Sequence, residues 1–134
     1  MLTRLCLSLA FGFSVLVSSA AYGKPPTRPH PGLSYGLARL ADTHESEGPT
    51  AARTLARQCG LKVRESAGEA MVPVIIEPQP GIAAKQFDVA SLAPLGAQVD
   101  ATSESFVRMM VPIRQLRRLV GHPQIRMARE PLQP

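Results

Sequence analysis

Residues 71–130 carry apolar runs and helical patterns in the order strand, helix, strand, strand, helix, strand, and few folds accept that order. In residues 71–77, Val72, Val74 and Ile76 alternate with Pro73, Ile75 and Glu77, as a half-buried strand requires, and Pro78-Gln79-Pro80-Gly81 closes the run. Pro73 cannot donate to a ladder, so it belongs at an edge or a bulge. Residues 82–93 place Ile82, Phe87 and Leu92 along a first helix, which Pro94 should break. Residues 97–101 and 106–111 read as two strands separated by the polar turn 102–105. Ile113, Leu116 and Val120 line one face of a second helix over residues 113–120, with Arg114, Arg117 and Arg118 turned outward. Gly121-His122-Pro123 stops that helix, and residues 124–129 form the last strand. The expected fold is α+β: a ferredoxin-like βαββαβ sandwich, with a four-stranded antiparallel sheet and two helices on one face.

The residues before this unit divide into three stretches. Arg4, the apolar run 5–17 and the small residues of 18–23 match a signal peptide cleaved after Gly23, so residues 1–23 are expected to be removed and the product to be secreted or periplasmic. Residues 24–49 are proline-rich and then polar, and are read as a flexible, partly disordered leader. Residues 50–70 suggest a short helix, capped by Thr50 and ended by Gly60, with Ala51, Leu55 and Cys59 on one face, followed by a possible edge strand. The main domain then runs over residues 71–131, with a short tail at 132–134.

Charge and chemistry narrow the function classes. Removing residues 1–23 takes away Arg4 and no acid, which leaves 14 basic against 10 acidic side chains. That excess is spread along the chain, and Phe87 and Phe106 are the only aromatic rings of the main unit, so neither the basic track nor the stacking platform of a nucleic-acid protein is present. After cleavage Cys59 is the one cysteine, and no internal disulfide can form. His44 beside Glu45 and Glu47 makes a poor metal cage in a polar run, and no cofactor or metal site is expected. No nucleophile motif, zinc motif or phosphate-cradling glycine loop occurs, and Glu77, Asp88, Asp100 and Glu104 are scattered. The expectation is a binding domain and not an enzyme, without membrane attachment once the signal is gone.

Several segments carry a family resemblance: residues 72–77, Leu95-Gly96-Ala97-Gln98-Val99, residues 107–112 with the helix after them, Gly121-His122-Pro123-Gln124-Ile125-Arg126, and Arg129-Glu130-Pro131. Together they resemble the N-terminal propeptides of bacterial secreted subtilisin-type serine proteases of the S8 class. Two departures stand out. Pro94 sits where those relatives continue a helix, and nothing of the protease domain that follows in them, with its Asp, His and Ser, is among these residues. The resemblance implies an intramolecular-chaperone and inhibitor type of module whose partner is a subtilisin-like protease. In that mode the sheet packs on two helices of the protease and the C-terminal segment lies extended in the substrate cleft. Met127, Ala128, Arg129, Glu130, Pro131 and Leu132 are the residues this implies for partner binding. The alternative is a small secreted α+β assembly or binding domain with another ligand.

Overall fold

The computed structural model describes residues 30–132; the expected signal peptide and residues 133–134 lie outside them. Among the described residues are three α-helices, α1 (Tyr35–Glu47), α2 (Pro49–Gln58) and α3 (Leu116–Leu119), and five strands, β1 (Arg64–Ser66), β2 (Glu69–Pro78), β3 (Gln98–Thr102), β4 (Val107–Pro112) and β5 (Ile125–Arg129). All strand pairings are antiparallel. β2 lies in the middle, with β4 and then β3 on one side. On its other side β1 pairs with the first residues of β2 and β5 with the last. Pro73 falls where β2 lacks a partner on that side, after β1 ends at Met71 and before β5 begins at Ile75. A residue without an amide proton is tolerated at such a gap.

The stretch expected to be a flexible leader is a helix from Tyr35 onward. Ser34 caps α1, its hydroxyl accepting from the Leu37 amide at 3.4 Å. Leu37, Ala38, Leu40 and Ala41 then fall on one buried face. That apolar period is short and ends before the polar run 44–47, which dominates the sequence in this region. Gly48, at φ +91°, joins α1 directly to α2, whose first position is Pro49. α2 buries Ala52, Leu55 and Ala56, whereas Ala51 is half-buried and Cys59 exposed, so its inner face is turned from the expected one. Its end is a Schellman motif: the Leu61 amide donates to Ala56 O at 3.0 Å and the Gly60 amide to Arg57 O at 3.0 Å. Buried Leu61 supplies the apolar contact of that motif.

Between β2 and β3 there is no α-helix. Two 3-10 turns, Ala84–Gln86 and Val89–Leu95, are separated by Phe87, which has extended backbone. Phe87 and Leu92 still bury their side chains, so the segment covers the core with two anchors where a helix was expected. Pro94 lies inside the second turn and removes one amide from any longer ladder. The expected second helix is present over residues 113–119, opening as a 3-10 turn at Ile113–Gln115 that leads into α3.

One hydrophobic cluster unites these parts. Val72, Val74, Ile76, Val107, Met109 and Val111 form the sheet's inner face, and Leu37, Leu40, Leu55, Leu116 and Leu119 close over it. The cluster runs from Leu33 to Ala128, so the domain begins well before residue 71. By register, the opposite face carries Met71, Pro73, Ile75 and Met110, bordered by Arg64, Arg108 and Arg129. Met71, Ile75 and Met110 are buried but stand outside the helix-packed cluster.

Arg117 corrects another expectation. It does not simply face solvent: its guanidinium pairs with Asp42 and, at 3.1 Å, with Glu45, which ties α3 to α1. Arg117→Ala should destabilise the protein by about 1–2 kcal/mol, below the full value of a charged hydrogen bond because water screens the site. The exposed Arg118→Ala should stay within about 0.5 kcal/mol. Urea melts giving the two substitutions equal effects would mean that the Arg117 pairs do not hold α3 to α1.

Candidate functional site

β5 and the residues that follow it hold the six positions expected to bind a partner. Ile75 pairs with Arg129, Ile76 with Ala128 and Glu77 with Met127, so the first three are part of the sheet and not of a free tail. Ala128 is fully buried. Its outer edge is occupied too: the Ala128 amide donates to Gly32 O at 2.7 Å, and the Ser34 amide donates to Ala128 O at 2.9 Å. Leu33 thereby makes a parallel bridge to Ala128. Beyond the strand, Glu130 and Pro131 are half-buried and Leu132 is 86 % exposed. The segment that leaves the domain thus starts three residues later than a tail counted from Met127.

Charge on β5 is held by one acid. Glu77 Oε1 accepts from Arg129 Nε at 2.8 Å, and Glu77 Oε2 pairs with Arg126. The hydrogen bond from Arg129, joined by the nearby Arg126 charge and opposed in part by burial, holds the Glu77 carboxyl below the ordinary carboxylate range. A carboxyl whose pKa is lower in the folded than in the unfolded chain adds stability that is complete above its unfolded value. That stability is lost as the pH falls through the folded value. Glu77→Gln should therefore lower the melting temperature at neutral pH and matter progressively less on acidification, until variant and parent coincide. A difference that stays constant down to acid pH would mean the ion pairs do not anchor β5.

Two other groupings have the residue types of chemistry. Ser91 Oγ lies 2.6 Å from His122 Nε2, and the His122 ring stands 5.5 Å from the Phe87 ring, centroid to centroid. The proton positions decide what this pair can do. The Gln124 amide donates to His122 Nδ1 at 3.1 Å, which makes Nδ1 the acceptor and puts the neutral ring's proton on Nε2. Nε2–H then donates to Ser91 Oγ, and the Ser91 hydroxyl donates to Asp88 O at 2.6 Å. Activating a serine requires the imidazole to take its proton, and here the polarity is the reverse. The pair fastens the second 3-10 turn to the loop before β5. Nothing in the sequence links these two residues, which lie 31 positions apart.

A cleft of about 230 Å³ opens where the α1–α2 corner meets the β1–β2 turn and the end of β4. Pro49, Pro112 and Ile113 give it an apolar lining, with His44, Arg53 and Arg114 among its polar groups. Arg53 is paired with Glu65 at 2.6 Å and Arg114 with Glu69 at 2.7 Å, so both guanidinium groups are already matched. Glu45 is engaged by Arg117, away from any joint role with His44. Among the described residues no group of three or more His, Cys, Asp or Glu side chains could hold a metal ion. No helix among them is long and apolar enough to cross a membrane.

No protein-family model, curated protein or solved structure matches this chain.

Proposed function

We propose that this chain is an exported, non-catalytic module of the subtilisin-propeptide type, which binds a subtilisin-like serine protease as inhibitor or folding aid. The observation that carries the reading is the strand order β5-β2-β4-β3 with every neighbour antiparallel. A split βαβ unit requires that order, and the C-terminal residues follow its last strand directly. We read the unit as a ferredoxin-like variant whose first crossover is reduced to 3-10 turns and whose helical layer is supplemented by α1 and α2. Supporting this, Pro131 favours an extended backbone after β5, and Leu132 offers an apolar side chain to solvent.

Mixing the chain with an inactivated subtilisin and following amide exchange tests this reading. Protection of the Glu130, Leu132 and Gln133 amides in a stable complex is the expected outcome. Absence of a complex, or one that leaves those amides unprotected, would defeat it.

Assembly through β3 is the second reading. All five residues of that strand are exposed, with Val99 at 47 %, and no strand among the described residues pairs with its outer edge. The register shift between Val99 and Ala101 works against it, because a bulge twists an edge away from pairing. Sedimentation would separate the two readings, since only assembly predicts dimers in the absence of a protease.

A further inference from the structure

Residues 32–36 and 128–130 form a closed set of polar contacts beside the core residues Leu33 and Ala128. Ser34 sits at its centre. Its amide donates to Ala128 O, its hydroxyl donates to Glu130 Oε2 at 2.6 Å, and Ser34 Oγ accepts from the Leu37 amide at the start of α1. The first turn of α1 contains no acidic residue of its own. Glu130 supplies that negative charge from 96 positions away, at the helix end where a carboxylate is favoured. Gly36 completes the arrangement: a Cβ there would overlap the Glu130 carboxylate, so glycine leaves the space into which the acid fits.

We propose that Ser34, Gly36 and Glu130 form a latch that fixes the direction in which the chain leaves the domain after β5. Glu130 is the first residue beyond the strand, where ladder pairing has ended and Arg129 Nη1 donates to the Glu130 carbonyl at 3.3 Å. Anchoring its side chain fixes that residue, and Pro131 extends the restraint, because proline sets its own φ and confines the residue before it to extended conformations. Glu130 is then a positioning residue, and Leu132 is presented from a set place. The latch gives tail binding a fixed starting geometry and rests on the proposed function for its purpose, although the contact itself can be tested without a protease.

Two measurements test the latch. Spin labels at Leu132→Cys and Arg57→Cys, in the full chain with Cys6→Ser and Cys59→Ser, report the distance from the tail to α2. The distribution should be narrow in the parent and with Glu130→Gln, which keeps an acceptor for Ser34, and broad with Glu130→Ala while circular dichroism still reports the fold. Should Glu130→Ala fail to fold, Ser34→Ala serves in its place, since it removes the hydroxyl and keeps the acid. The second measurement is a double-mutant comparison. Alanine in place of helical glycine normally favours folding, so in the Glu130→Ala background Gly36→Ala should raise the folding constant by up to about fivefold. With Glu130 present the added methyl displaces the carboxylate, and the lost latch contacts should cancel that gain. Equal gains in the two backgrounds, or a distribution that stays narrow without the carboxylate, would overturn the latch. A narrow distribution in a chain that fails to bind protease would instead count against the tail-binding reading alone.

Discussion

A chain that begins at Met71 is expected not to fold. It would lack Leu33, Leu37, Leu40, Leu55 and Leu61, all buried in the one core cluster, along with the small residues of α1 and α2 that pack beside them. Each buried leucine is worth about 1.5–3 kcal/mol, so the loss reaches the whole stability of a domain, about 5–15 kcal/mol. The inner face of β2 and β4, left with only α3 and the 3-10 turns over it, would then favour aggregation. Single truncations divide this effect into measurable parts: Leu37→Ala and Leu116→Ala, both at 0 % exposure, should each cost about 2–5 kcal/mol. Denaturant melts measure all three. A cooperative transition for residues 71–134 with the parent's midpoint would show that α1 and α2 are accessories and that the domain starts at β2.

Removal of residues 131–134 is expected to weaken protease inhibition on the order of 100-fold, the scale on which one or two anchoring residues control an interface. The fold should be unaffected, because the described part of that stretch, Pro131 and Leu132, lies beyond β5 and outside the core cluster. Cutting one residue earlier is a different experiment. Without Glu130 the hydroxyl of Ser34 loses its acceptor and the N-terminus of α1 its acid, and stability should fall by about 1 kcal/mol as well. Inhibition assays paired with thermal melts separate the two effects. Equal inhibition by the full and the shortened chain would exclude the tail from the interface.

Strand alternation made β2, β4 and β5 legible in the sequence, because Val72, Val74, Ile76 and Val107, Met109, Val111 leave only one face for the core. Helices were harder. Leu37, Leu40 and Ala41 give α1 its buried stripe, yet they stand beside a proline-rich segment and a polar run, and composition masked a period of barely two turns. Conversely, Ile82, Phe87 and Leu92 suggested a helix that local geometry does not make; two of them are anchors of 3-10 turns. The tail residues were legible as the end of an extended segment, but their division between sheet and exit depends on the contact of Gly32 and Ser34 with Ala128, which no local pattern announces. The Ser34–Glu130 and Ser91–His122 pairs are long-range products of the fold and have no signature in the chain.

Titrating a subtilisin with the chain tests the proposed function most directly. Residual activity should fall in proportion to added chain and vanish near equal concentrations, with a one-to-one complex recovered by size exclusion. Undiminished protease activity at micromolar concentrations of the intact, folded chain would contradict the assignment.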